Sequence, residues 1–348
     1  MSISMEAVAQ QAGVSKSTVS LVLNNRPGAS AKMRQRVLDA AAAVGYQLPG
    51  QRTTEATERV TNPPVIALVH CVGEKPDIDP GLTHLYLSYR NGIQRFTQGR
   101  DISVMLMTSY QDGNAASLSY QLLAQQQAMI DGLILMGPGL RRDSDLIRRV
   151  LDEQIPAVIL GRSWPDLPIS SVSQDHAEQA DMILRHLIEL GHTKIGFVAR
   201  EVDRNYDWFY WRATAYRKLM AQRFQIDDDR YVAIGDNLDA AVMQLLVEKP
   251  EVTALFALND HIAYQAMRAA VGIGRKIPTD LSIASIDGVI KPSDGLPTLT
   301  TVAFPHEEVG YLAAELIIKQ LENKHLRTAQ LTVRSTLQHG GSCAVLNQ

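Results

Sequence analysis

Cysteine is nearly absent. Of 348 residues only Cys71 and Cys343 carry thiols, far apart and without partners at metal-ligand spacing. That excludes a disulfide framework and a zinc site as organising features, and leaves two small, buried or indifferent thiols. Long apolar runs are also missing. No stretch approaches the roughly 18 residues of a membrane span, and the start MSISMEAVAQQ has neither the charged nor the apolar segment of a signal peptide. The expectation is a soluble, cytoplasmic protein with no membrane partner. Signatures of several enzyme classes do not occur: there is no HExxH, no CxxC and no Gly-x-Ser-x-Gly elbow. Gly137-Pro138-Gly139 follows an apolar run, but the series reaches Arg142 where a dinucleotide fingerprint needs its third glycine, so it reads as a turn. Nine histidines are scattered, and spacing pairs no nucleophile with a base. The expectation is a protein with no catalytic residue, no metal and no cofactor.

What is present is the material of an ordinary globular protein. The chain is 45% apolar and 20% charged, which excludes a mostly disordered polymer. At 38.4 kDa it is long enough for two or three folded units, each with its own core. Charge divides unevenly. The first sixty residues hold seven Lys or Arg against four Asp or Glu, and the remainder 27 against 33. A basic head on an acidic body carries weight only if the head also has a nucleic-acid-binding pattern.

It does. Met5, Val8, Ala9 and Ala12 fall at helical spacing behind a possible cap at Ser4, and Gly13 ends the segment. Ser15 is placed to cap a second helix with Val19, Val22 and Leu23 inward. A third segment from Ser30 to Val44 turns Val37, Leu38, Ala41 and Val44 inward and Lys32, Arg34 and Arg36 outward. Three short helices with a tight glycine turn between the first two make a helix-turn-helix, whose second helix enters the major groove of DNA.

The run Val8-Ala9-Gln10-Gln11-Ala12-Gly13-Val14-Ser15-Lys16-Ser17-Thr18-Val19-Ser20, then Val22-Leu23-Asn24, Ser30-Ala31-Lys32, Arg34, Val37 and Gly45-Tyr46, resembles the DNA-binding head of the lactose-repressor (LacI/GalR) family. The resemblance implies phosphate contacts at Ser4, Ser15, Thr18, Ser20, Asn24 and Ser30, which position the protein without reading sequence. It implies base readout at Lys16 and Ser17, with Leu21 one turn further. Many relatives carry Arg at that last position, whereas Leu21 offers only an apolar contact such as to a thymine methyl. The alternative for Lys16 is a phosphate contact alone. Residues 1–47 form this head. Residues 48–64 read as a polar hinge or linker, where relatives fold a short helix on DNA and wedge a leucine into the minor groove. Here only Leu48 is available, Ala56 or Val60 would have to replace the wedge, and Glu55 and Glu58 would approach phosphates.

Beyond residue 64 apolar runs alternate with helical patterns. Val65–His70, Val104–Met107, Leu133–Met136, Ala157–Leu160, Ile195–Val198, Ala254–Ala257 and Leu281–Ile286 read as buried strands. Helices are expected near Leu85–Gln98, Leu118–Gln127, Asp145–Glu153, Ala177–Leu190, Trp211–Gln222, Asp239–Val247 and His261–Val271. Strict alternation implies an α/β fold of parallel sheets wrapped by helices. Gln154-Ile155-Pro156 and Lys276-Ile277-Pro278 each precede an apolar run, an internal echo that favours two sheets over one.

This body resembles the type I periplasmic-binding-protein fold that follows the head in the same family. The matching pieces include Asp131-Gly132-Leu133-Ile134-Leu135, Leu190-Gly191-His192, Ala257-Leu258-Asn259-Asp260, Asp280-Leu281-Ser282-Ile283 and Ile286-Asp287. The resemblance implies two doubly wound lobes, about 65–161 with 291–320 and about 162–290 with 321–348, joined by three crossings and closing on a small ligand. Residues just after strands should face the cleft. Asn259 and Asp287 stand there, and Arg212 offers a planar fork of donors. Trp208 lies one turn before Arg212 in an aromatic run, Tyr206-Asp207-Trp208-Phe209-Tyr210-Trp211, and aromatic faces stack on sugars or nucleobases. Tyr86 and Asn237 complete the expected effector set, and Asp260 is expected to cap its helix.

The resulting expectation is a transcription regulator, a repressor, binding a pseudo-palindromic operator as a homodimer under control of a carbohydrate effector. A nucleobase or nucleoside effector is the alternative, and a solute-binding protein without DNA function a further one. Only fourteen residues follow Arg334, with no heptad pattern that would tetramerise dimers.

Overall fold

A computed structural model describes residues 5–23, 30–44, 63–72, 80–110, 129–290, 295–323 and 325–346. Ser4, Asn24, Gly45-Tyr46, linker residues 48–62 and the expected helix over Leu118–Gln127 lie outside the described residues. The chain divides into two compact units, Met1–Asn62 and Pro63–Gln348.

In the first unit α1 (Met5–Ala12), α2 (Lys16–Leu23) and α3 (Ala31–Ala43) enclose a core of Val8, Ala9, Ala12, Val19, Val22, Val37, Ala40 and Ala41. Gly13 takes φ +61° and lets the Val14 N–H return to the Ala9 carbonyl at 3.0 Å, which closes α1. Ser15 Oγ accepts from the Thr18 N–H at 3.2 Å and Ser30 Oγ from the Met33 N–H at 3.3 Å, so both serines cap the helices they precede. The expected stripe on α3 is corrected at one place. Leu38 is exposed and Ala40 is buried in its stead, because positions 37, 40, 41 and 44 share a face and 38 lies a further 100° round. Arg34, expected outward, is half-buried and donates from Nη1 to the Val22 carbonyl at the end of α2.

The second unit holds two six-stranded sheets. One contains β1 (Val65–Val72), β2 (Ser103–Tyr110), β3 (Gly132–Met136), β4 (Ala157–Leu160), β5 (Ser170–Ser173) and β11 (Gln330–Thr332), in the order β11-β5-β4-β3-β1-β2, all parallel. The other contains β6 (Ile195–Arg200), β7 (Val232–Gly235), β8 (Ala254–Ala257), β9 (Ser282–Asp287), β10 (Thr300–Ala303) and β12 (Thr336–Gln338), in the order β12-β10-β9-β8-β6-β7. Among the described residues only the β10–β12 pair is antiparallel. The two orders correspond strand for strand. The internal echo falls at equivalent places, since Ile155-Pro156 leads into β4 and Ile277-Pro278 precedes β9, each third in its sheet.

Helices α4 (Pro80–Thr97), α5 (Asp145–Asp152), α6 (His176–Glu189), α7 (Asp207–Phe224), α8 (Leu238–Glu248), α9 (Asp260–Gly272) and α10 (His306–Glu322) cover these sheets. The start of α7 lies a turn before the expected one because Tyr206, at its N-cap, makes no side-chain cap bond that would mark it. Helix α10 has no counterpart among the expected elements, although Val309, Ala313 and Ile317 form a buried stripe at helical spacing. It packs against α4 in the first lobe, with Tyr89, Ile93 and Phe96.

The lobe boundaries also shift. Residues 170–173 and 330–332 pair in the first sheet, and residues 300–303 in the second, each opposite to the expectation. Their polar composition gives no lobe preference, and pairing decides it: Ser170, Ser171 and Ser173 are buried, with Ser170 Oγ accepting from the Ala329 N–H and Gln320 Nε2. The chain therefore passes between lobes at 174–175, at 304–305 and at 333–335.

Candidate functional site

A cleft of about 920 Å³, open solvent at its mouth included, lies where the carboxyl ends of both sets of strands face each other. The first lobe lines it with His70, Leu85, Tyr89, Met136, Leu160 and Arg162, and with Gly137, whose φ of +109° lets the turn pass against the Cys71 carbonyl where a Cβ would collide. The second lobe contributes Arg200, Asp203, Tyr206, Trp208, Arg212, Asn259 and Asp287, and the crossings add Gln174, His176 and His306.

Arg212 is buried on the second turn of α7. Its Nη1 donates to the Leu258 carbonyl at 2.6 Å, its Nη2 donates to Gln179 Oε1 at 3.1 Å, and Asp287 Oδ1 lies 3.5 Å from Nη2. Burial lowers the guanidinium pKa and the Asp287 carboxylate counters that shift. Asp287 itself sits at the end of β9 with φ +127°, a backbone strain that a non-glycine residue rarely carries. Arg200 and Asp203 form a second pair at 2.9 Å. Arg162 donates to the carbonyls of Leu140 and Gly137, lies 3.6 Å from Asp207 and stands over the Trp208 ring at 5.8 Å.

His176 and His306 are buried and neutral. Burial, with Arg212 nearby, pushes both down to about 3 from the ordinary 6.5. His306 Nδ1 and the Tyr89 hydroxyl are hydrogen-bonded at 3.1 Å. Three buried polar atoms on cleft side chains have no hydrogen-bond partner in the protein: Gln174 Oε1, Arg212 Nε and His306 Nε2.

Of the expected effector residues, the structure brings Trp208, Arg212, Asn259 and Asp287 into the cleft. Trp208 stacks on Tyr206 at 4.3 Å, so the two rings form one aromatic wall. Tyr86 is one step removed: it stacks on His70 at 5.0 Å, while Leu85 and Tyr89 of the same helix line the cleft. Asn237 is exposed beyond edge strand β7 and caps α8 through the Ala240 N–H at 3.1 Å. The expected cap at Asp260 is corrected. Asn259 Oδ1 accepts from the Ile262 N–H, and Asp260 is a buried acceptor for the Ser285 and Thr301 hydroxyls and the N–H groups of Val289 and Ile290. Arg162 and Arg200, which the sequence reading passes over, follow or end apolar strands and were within reach of the rule that such residues face the cleft. His176, His306 and Gln179 carry no local signal.

In the head, Ser15 Oγ lies 2.8 Å from both Ser17 Oγ and Thr18 Oγ1. Lys16 is exposed at the start of α2 and pairs with Glu6 at 3.0 Å. Ser17 and Ser30 are exposed, and Thr18, Ser20 and Leu21 half-buried.

Residues 4–48 match the model for bacterial regulatory proteins of the lacI family, and residues 184–343 match a periplasmic binding protein-like domain. The chain thus joins a lacI-family helix-turn-helix head to a periplasmic binding protein-like domain. Over 307 residues it is 29% identical to the HTH-type transcriptional regulator DegA of Bacillus subtilis, covering 87% of each chain. Over 349 residues it is 28% identical to the HTH-type transcriptional repressor CytR of Escherichia coli, covering 98% of this chain and 96% of that one. Among solved structures, a complex of the transcriptional regulator CelR with cellobiose superposes with a TM-score of 0.67 at 26% identity, over 98% of this chain and all of that one. The lac repressor dimer bound to operator and the anti-inducer ONPF superposes at 0.66 and 21% identity, over 99% of this chain and all of that one, a likeness of fold. Members of the family are transcriptional regulators. No helix among the described residues is long and apolar enough to cross a membrane.

Proposed function

We propose that this protein is a cytoplasmic transcriptional repressor whose operator affinity is set by a neutral, polyhydroxylated ligand in the cleft. Residues 1–47 bind DNA, 48–64 link, and 65–348 bind the ligand. Ser4, Ser15, Thr18, Ser20, Asn24 and Ser30 hold phosphates, while Lys16, Ser17 and Leu21 face bases. One head covers only a half-site, so the operator is pseudo-palindromic and the working form a homodimer.

The observation that carries the ligand reading is the set of unpartnered atoms at Gln174, Arg212 and His306. Hydroxyl groups both donate and accept, so one sugar can satisfy all three. Each cleft arginine already has an acidic neighbour, Asp207, Asp203 or Asp287, which favours an uncharged ligand over a phosphorylated one. The Tyr206–Trp208 wall suits the CH face of a sugar ring, and the cellobiose held by CelR supports the same reading. A nucleoside would use that wall by stacking and is the second reading.

The test is a thermal-shift panel of neutral sugars, sugar phosphates and nucleosides, with operator selection from random duplexes. A ligand at a hundred times its Kd adds about 2.7 kcal/mol. The expected outcome is stabilisation by a neutral sugar, altered operator affinity in its presence, and loss of both in Arg212→Ala. Stabilisation by a nucleoside or a sugar phosphate alone overturns the ligand reading, and failure to select any duplex overturns the regulator.

A further inference from the structure

Gln179 lies on the second turn of α6, on the far side of Arg212 from Asp287 in sequence and outside the set of side chains that line the cleft. It is buried. Its Oε1 accepts from Arg212 Nη2 at 3.1 Å and from His176 Nδ1 at 3.3 Å, and its Nε2 donates to Ser335 Oγ at 2.8 Å. His176 follows the first crossing and Ser335 lies in the third. Asp287, the acidic neighbour of Arg212, accepts through its carbonyl from the Phe304 N–H at the second crossing. One guanidinium is thereby connected to all three passages between the lobes, to two of them through a single amide.

The amide cannot turn freely. A guanidinium has only donors, so the atom facing Arg212 must be the oxygen. That orientation sends the NH2 group to Ser335 and makes the hinge hydroxyl an acceptor. With Gln179 turned over, two donors would face each other in a buried site, which costs more than a lost bond.

We infer that Gln179 is a positioning residue that transmits the placement of Arg212 to the hinge, so that a ligand drawing the guanidinium toward the cleft loosens the crossing at Ser335. This rests on the reading of Arg212 as a ligand-binding residue, but its test requires neither ligand nor operator, so the two can fail separately.

The test is backbone hydrogen exchange over residues 333–336 in the full-length protein. The Val333 N–H donates to the Ser173 carbonyl at 2.8 Å and exchanges through local opening. Arg212→Met and Gln179→Met are each expected to speed exchange there about tenfold, which is roughly 1.4 kcal/mol, the upper end for a lost hydrogen bond between neutral groups such as that of Gln179 to Ser335. The double variant should be no faster than the faster single one. Gln179→Glu should restore slow exchange, because a carboxylate accepts from both Arg212 and the Ser335 hydroxyl. An Arg212→Met variant that leaves 333–336 unchanged, or effects that multiply in the double variant, overturns the inference. Should Arg212→Met fail to fold, Ser335→Ala reads the path in reverse through the Arg212 guanidinium N–H signals, where faster exchange supports it and unchanged exchange overturns it.

Discussion

The two lobes share a strand order and differ in what they do with it. Among the described residues of the cleft, the second lobe supplies Arg200, Asp203, Arg212, Asn259 and Asp287, whereas the first lobe supplies one charge, Arg162, among His70, Leu85, Tyr89, Met136 and Leu160. Topology decides that the ends of the strands face the cleft, and the residues placed there decide the chemistry. The same contrast runs into the interior. Beneath β8, β9 and β10 the buried Asp260 carboxylate takes four hydrogen bonds and holds the loop after Asp287. The first lobe instead relies on close backbone approach of α4 and α10, where a Cβ at Gly310 would overlap the Tyr89 carbonyl and one at Gly92 the Glu307 carbonyl.

The largest expected effect tests the polar side of that contrast. Asp260→Ala leaves two hydroxyls and two N–H groups without their acceptor and should lower stability by about 3–5 kcal/mol in urea titration. A loss below roughly 1 kcal/mol would mean the loop is held by something else. Gly310→Ala tests the other side. The helices must separate, at about 1–3 kcal/mol, and a loss exceeding that of Asp260→Ala would reverse the comparison.

A third effect is read in pH. His176 and His306 stay neutral in the fold to about pH 3, while the unfolded chain takes up their protons near 6.5. Their contribution is therefore complete above about 6.5 and is lost as pH falls toward 3, at up to ~1.4 kcal/mol per pH unit for each histidine. Urea midpoints at pH 7, 6 and 5 should show this slope, and His306→Asn should remove about half of the part due to the pair. An unaltered slope in that variant would show that His306 takes up its proton in the fold over the same pH range as in the unfolded chain.

Much of this was legible in the chain. The seven expected strands all form, since a buried parallel strand is a continuous apolar run that needs no partner to be recognised, but the burial expected of Val104–Met107 is corrected: β2 is an edge strand with Val104 and Leu106 exposed. The glycine turn and the Ser15 cap of the head are local chemistry and read directly, whereas the Ser30 cap was not anticipated. Trp208 and Arg212 share one face of α7 because they are one turn apart. Asn237 did not reach the cleft because the strand before it is an edge strand, a fact of sheet order rather than of spacing.

The sequence by itself determined the head, the alternation of strand and helix and the four residues that meet in the cleft, because helix periodicity, capping and strand burial act between near neighbours. Tertiary structure alone decided which sheet receives Ser170–Ser173, Thr300–Ala303 and Gln330–Thr332. It alone placed His176, His306 and Gln179 around Arg212. Those contacts join residues far apart in the chain, as Gln179 to Ser335 across 156 positions, and their partners are selected only once the lobes have packed.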